Sequence, residues 1–134
     1  MVSLIEYENF IYSLQRQYPE ISASTLIFKR TSASSGQTIG CIYFENEIKL
    51  RILETIDFLD NKIIDYSYEV WKNDVKQYWY DCWPHPKDPK LASTHPHHKH
   101  IQPNIKHHRI PASELNFNSP NLPFLIQEII ENFL

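Results

Sequence analysis

The chain opens with a helical pattern. Tyr7, Phe10, Ile11, Leu14 and Tyr18 recur at the three- and four-residue spacing that puts them on one helix face. Ser3 and Glu6 form the S-x-x-E signature of a capped helix start. Pro19 restricts the residue before it, so the spacing predicts a helix over 3–18. Short runs rich in β-branched and aromatic residues follow, at 25–31, 38–44, 48–56, 62–71 and 75–83. The links between them are short, which predicts an antiparallel meander. Residues 84–123 hold most of the prolines and show no period. Forty such residues are too many for a plain loop, so either part of the segment is disordered or it is a functional loop packed over the sheet. Leu125, Ile126, Ile129, Ile130 and Phe133 then form the stripe of a last helix over 123–134. The expectation is an α+β domain spanning 1–134, with about five antiparallel strands and a helix at each end packed on one face.

Composition narrows the class. The chain has 134 residues, 42% of them hydrophobic and 13% aromatic, enough for a core and unlike a disordered segment. No apolar run approaches the roughly 20 residues that span a bilayer, and no secretory leader is visible. Cys41 and Cys82 are the only cysteines, too few for a disulfide-stapled secreted domain. These features point to a cytoplasmic protein without membrane partners.

The net charge of −3 conceals an uneven distribution. Between Trp83 and Arg109 the basic residues are Lys87, Lys90, Lys99, Lys106 and Arg109, against one acid, Asp88. All seven histidines lie in this stretch. Such a segment can draw an anion to one face, while the acidic total argues against a generic DNA binder.

The main chemical signal is Trp83-Pro84-His85 followed by His95-Pro96-His97-His98-Lys99-His100. Imidazole exchanges protons near neutral pH. Metal-free RNA cleavage needs a base for the 2′-OH, an acid for the leaving 5′-oxygen and a cation for the developing phosphate charge. His85, His97, His98 and His100, with Lys99, match these needs. The same imidazoles could instead ligate zinc, which would require three or four to converge. A solvated loop without a special role is a third reading. His107-His108-Arg109 is a weaker feature, suited to a surface or a phosphate path.

Two carboxylates stand near this block in the pattern. Ile48, Leu50, Ile52 and Glu54 share one strand face, so Glu54 either ends the strand in solvent or lines a site. Asp81 closes the fifth run. Tyr66, Tyr68, Trp71, Tyr78, Trp79, Tyr80 and Trp83 crowd the last two runs. Some must be core; Tyr66, Tyr68, Tyr80 and Trp83 are candidates for stacking on unpaired bases, and packing of the 84–123 segment is an equal alternative for this surface. Which tyrosines share a face with Asp81 depends on whether the turn at 72–74 has two or three residues.

These residues also resemble a family, the TumE-type toxins of bacterial toxin–antitoxin modules. The matching blocks are Gly40-Cys41-Ile42-Tyr43-Phe44, a strand ending at Glu54, Tyr66-Ser67-Tyr68, Tyr80-Asp81-Cys82-Trp83-Pro84-His85, His97-His98-Lys99-His100, and Pro111-Ala112-Ser113-Glu114 before the last helix. The chain departs from the pattern at Trp79, where an Arg is usual, at Cys82, where an Asn is usual, and at Pro86, where a second His is usual. The resemblance implies a toxin acting on RNA and neutralised by a helix-turn-helix antitoxin. Three functions follow as alternatives: a metal-independent ribonuclease without cofactors, a related nuclease for a small or cyclic oligonucleotide, and a non-enzymatic binding module. A homodimer or an antitoxin complex is expected, because so many aromatics leave apolar surface.

Overall fold

The structure, a computed structural model, describes residues 1–82, 97–102 and 108–134. Trp83, His85, His95 and His107 lie outside them. Helix α1 (Leu4–Gln17) starts with the expected capping box: Ser3 Oγ accepts from the Glu6 amide at 3.2 Å, and the Ser3 amide donates to Glu6 at 3.4 Å. The strands are β1 (Ile21–Ser24), β2 (Ile27–Ser32), β3 (Ser35–Phe44), β4 (Ile48–Asp57), β5 (Lys62–Lys72), β6 (Val75–Asp81), β7 (His98–His100) and β8 (Arg109–Pro111). Helix α2 (Leu122–Phe133) follows, with a proline in its first turn where the missing N–H costs nothing.

The strands form one antiparallel sheet in the order β1-β3-β4-β5-β6-β7-β8, with β2 also on β3. The α+β class is as expected, but among the described residues the sheet has eight strands rather than about five. The added strands have weak local signals. β1 is a four-residue piece rich in Ser and Ala. It is set off from β2 where the chain crosses Gly40, whose φ is +138°; a Cβ there would stand 2.7 Å from the Thr25 carbonyl. β7 and β8 have three residues each, and their pairing partners come from the sheet rather than from their own pattern. Within the expected functional loop over 84–123, His98–His100 is a strand of the sheet, while 84–96 and 103–107 lie outside the described residues.

Tight turns join β3 to β4 and β5 to β6, while residues 58–61 link β4 to β5. Asn46 and Glu47, then Asn73 and Asp74, all have positive φ near 60°, the type I′ geometry that suits the sheet's twist. The second turn answers the question of facing. With a register shift between Val70 and Trp71, Tyr68 sits opposite Tyr80, and Asp81 sits opposite Ser67.

Both helices pack on one sheet face. Leu4, Tyr7, Ile11 and Leu14 of α1, and Leu122, Leu125, Ile126 and Ile129 of α2, are buried with Ile42, Leu50, Ile52, Ile63 and Val70. Each fully buried aliphatic side chain contributes roughly 1.5–3 kcal/mol. Among the described residues, no helix is long and apolar enough to cross a membrane.

Glu54 is the exception within this core. It is fully buried, so the solvent-reaching alternative is overturned. The Tyr7 hydroxyl donates to its Oε1, and the Tyr68 hydroxyl to its Oε2 at 2.5 Å. Asn121, just before α2, donates to the Tyr68 oxygen at 3.4 Å. One carboxyl thus ties α1, the sheet and the entry to α2. Burial pushes its pKa up to about 7, with the Tyr68 hydrogen bond pulling the other way. A carboxyl raised in this way favours the folded state below the ordinary carboxylate range, and that contribution is lost as pH rises through about 7. Urea unfolding should therefore show lower stability at about pH 8.5 than at about pH 5.5. Glu54→Gln should flatten the difference, since each pH unit between the folded and unfolded values corresponds to about 1.4 kcal/mol. An identical pH slope in both proteins would refute this role for Glu54.

Candidate functional site

Strand alternation sorts the candidate residues. In β7, His98 and His100 point to one face and Lys99 to the other. Lys99 pairs in register with Tyr80, and Tyr80 with Tyr68, on the helix face. His98 pairs with Asp81, and His100 with Trp79, on the face opposite α1 and α2. The register extends each row across the sheet. One runs Ile39, Leu53, Ser67, Asp81, His98; the next runs Cys41, Arg51, Glu69, Trp79, His100, Arg109.

On that face the two imidazoles converge on one carboxylate. His98 Nε2 donates to Asp81 Oδ1, and His100 Nε2 to Oδ2 at 3.2 Å. The Trp79 indole N–H adds a third donor to Oδ2 at 2.8 Å. The imidazole rings lie 4.9 Å apart at 62°, and Trp79 stacks on His100 with centroids 4.1 Å apart. All three polar residues are buried, at 3% exposure for Asp81, 1% for His98 and 4% for His100. Burial alone raises a carboxyl pKa. Here the hydrogen bonds from His100, His98 and Trp79 and the charge of His98 outweigh it, and Asp81 is held well below the ordinary carboxylate range. Asp81 is thus an acceptor only, which assigns the donor role to each Nε2–H. Among the described residues, these three form a cluster with metal-ligating atoms, all within 4.8 Å of one another.

The other candidates lie across the sheet. Lys99 reaches Glu128 of α2 at 3.2 Å and sits 4.1 Å over the Tyr78 ring. Glu128 also accepts from the Tyr80 hydroxyl, at 2.8 and 3.0 Å. His97 meets the Tyr66 hydroxyl through Nδ1 at 2.6 Å and lies parallel to that ring. Among the described residues, Glu54 contacts the Tyr7 and Tyr68 hydroxyls and no imidazole or guanidinium. Glu54, His97 and Lys99 are therefore not assembled with Asp81, His98 and His100. Tyr66, Tyr68 and Tyr80 are at most 3% exposed and lie on the helix face, across the sheet from Asp81, His98 and His100. Their hydroxyl pKa values are raised, first by burial.

The half-exposed aromatics of the face opposite α1 and α2 are Trp71 and Trp79. Lys76 lies 4.2 Å from the Trp79 ring and 5.3 Å from Trp71, and Lys49 lies 5.5 Å from Trp71. Lys76 also pairs with Glu69 at 3.0 Å. A groove of about 400 Å³ crosses this face past Ile39, Cys41, Arg51, Leu53, Ser67 and Glu69. Its Ser67 end is the cross-strand neighbour of Asp81. Sequence reading named Trp71 and Trp79 among the hairpin aromatics without choosing them as candidates, and did not single out Arg51 or Lys76. Their signal was the parity of β4–β6, which needs the turn length and the Val70/Trp71 register shift before it can be read.

The model of the family described as Toxin TumE matches residues 11–133. The chain belongs to the TumE toxin family. No curated protein and no solved structure matches it. The family match spans α1 to α2, so both sheet faces, with the Asp81 cluster and the Lys99–Glu128 pair, lie inside the region that defines a TumE toxin.

Breaking a buried charged pair by removing one partner costs about 3–5 kcal/mol. Asp81→Ala should cost that much, because two buried imidazoles lose their shared acceptor. Lys99→Met should cost about 1 kcal/mol, since Glu128 keeps Tyr80 as a donor. Urea midpoints for the two variants check the order; equal losses would remove Asp81 as the anchor of β7.

Proposed function

We propose that this TumE toxin is a metal-independent endoribonuclease whose acid–base pair is His98 and His100, oriented by Asp81. The observation that carries this reading is the convergence of two imidazoles on one ionised carboxylate beside an open groove. A carboxylate that accepts from Nε2–H fixes the tautomer and the tilt of the ring. The nitrogen away from Asp81 then exchanges protons with a substrate, as general base toward the 2′-OH or general acid toward the leaving 5′-oxygen. Two such rings on one face supply both roles. The sequence suggested Lys99 for the phosphate charge, but its ammonium is held by Glu128 across the sheet. Arg109 replaces it in this reading, as the cross-strand neighbour of His100 on the same face.

The groove favours an extended strand over a closed ring. It runs across the sheet beside Arg51, while Lys49 and Lys76 flank Trp71. Cations interleaved with indoles suit an unpaired strand, whose phosphates and bases need both. As a family of toxins, TumE proteins imply an antitoxin, and we propose that this chain has one as its partner.

Cleavage should leave a 2′,3′-cyclic phosphate, and the same sequence as DNA should be inert, because the nucleophile is the 2′-OH. EDTA should not slow the reaction. His98→Ala and His100→Ala should each lower the rate by roughly 10²-fold or more. The assay is a labelled RNA incubated with purified protein beside a DNA copy and cyclic oligoadenylates. Equal cutting of DNA would end the 2′-OH mechanism; cutting of the cyclic species alone would move the assignment to small-substrate defence signalling.

A further inference from the structure

The Asp81 cluster has a second chemical capacity. Its three donors are two imidazole nitrogens and a carboxylate oxygen, a set that borderline divalent ions such as zinc accept. Around a tetrahedral zinc with bonds of about 2.0–2.1 Å, neighbouring ligand atoms lie roughly 3.3 Å apart. The His100 Nε2 to Asp81 Oδ2 distance is already 3.2 Å, and all the cluster's donor atoms lie within 4.8 Å. Small side-chain rotations would bring the three around an ion. The strands hold them there: Asp81 and His98 are register partners, and His100 is fixed two residues on by the same ladder. Trp79 limits how far the His100 ring can swing. Three protein ligands leave a fourth position for water, the coordination of an open zinc site.

We infer that Asp81, His98 and His100 form a zinc-class metal site, and that filling it silences the toxin. Both nitrogens that face Asp81 would become ligands, and the remaining ring proton of each imidazole would sit on Nδ1. Neither ring then cycles between base and acid. The burial of all three residues strengthens the case, because a buried carboxylate is more stable when shared with a cation. The site's existence rests on the geometry alone. Its inhibitory effect rests on the ribonuclease reading above.

Metal-free full-length protein titrated with Zn²⁺ by calorimetry should bind one ion per chain, and its thermal midpoint should rise. Asp81→Asn, His98→Gln and His100→Gln should each abolish that binding. His97→Gln should retain it, since His97 faces Tyr66 on the other side of the sheet. Circular dichroism checks that each variant is folded. Co²⁺ in the wild-type protein needs no variant: visible bands without a thiolate charge-transfer band indicate nitrogen and oxygen ligands. A strong thiolate band would place Cys82 in the site and overturn the assignment. So would binding that survives all three substitutions, or no binding to the wild-type chain. In the RNA assay, one equivalent of Zn²⁺ should cut the rate by roughly 10²-fold, the share of one acid–base group, with EDTA restoring it. Faster cleavage with zinc would overturn the silencing. Stoichiometric binding by a chain that cleaves no RNA under any condition would leave the metal site standing and remove the ribonuclease reading alone.

Discussion

Successive side chains of a strand point to opposite faces, and the chemistry of this protein follows from that constraint acting on three residues of β7. A His-Lys-His block in a loop could bring all its groups to one substrate. Locked between β6 and β8, it cannot. The outer imidazoles go to the face opposite α1 and α2 and share Asp81. The ammonium between them goes to the helix face and is taken up by Glu128. One short strand therefore supplies a polar cluster and a packing clamp at once. The clamp matters to the cluster, because Lys99 and Tyr80 both answer to Glu128 and so hold β6 and β7 against α2.

The two buried carboxyls of the sheet show how environment decides the state of a group. Asp81 receives three N–H donors and stays ionised. Glu54 receives two tyrosine hydroxyls in an apolar layer, and burial dominates, so its pKa climbs. The first is prepared to orient imidazoles. The second joins α1, β4, β5 and the entry to α2, a structural task that needs a polar group with little charge.

Much of the fold was legible where local chemistry and periodicity agree. The capping box, Pro19 and the apolar stripes marked both helices, and alternation marked β3–β6. β7 and β8 were not legible, since three residues carry no period and their pairing is non-local. The site was half legible. The H-H-K-H block and Asp81 stood out by residue type. Their division between faces did not, because it depends on register. For the same reason tyrosines were chosen for the stacking surface ahead of the half-exposed Trp71 and Trp79; only the Asn73-Asp74 turn and the shift after Val70 decide which parity faces away from the helices.

The last strand in the sheet order, β8, also bears on how the protein avoids its own kind. An exposed sheet edge is a template for pairing with another chain, and proteins blunt such edges with short strands, charges and proline. β8 has three residues, begins with Arg109 and ends with Pro111, which has no N–H to offer. At the opposite border, the outer line is divided into β1 and β2, and Lys29 and Arg30 stand on β2. Among the described residues neither border invites a further strand, and growth into fibrils by edge-to-edge addition is thereby disfavoured.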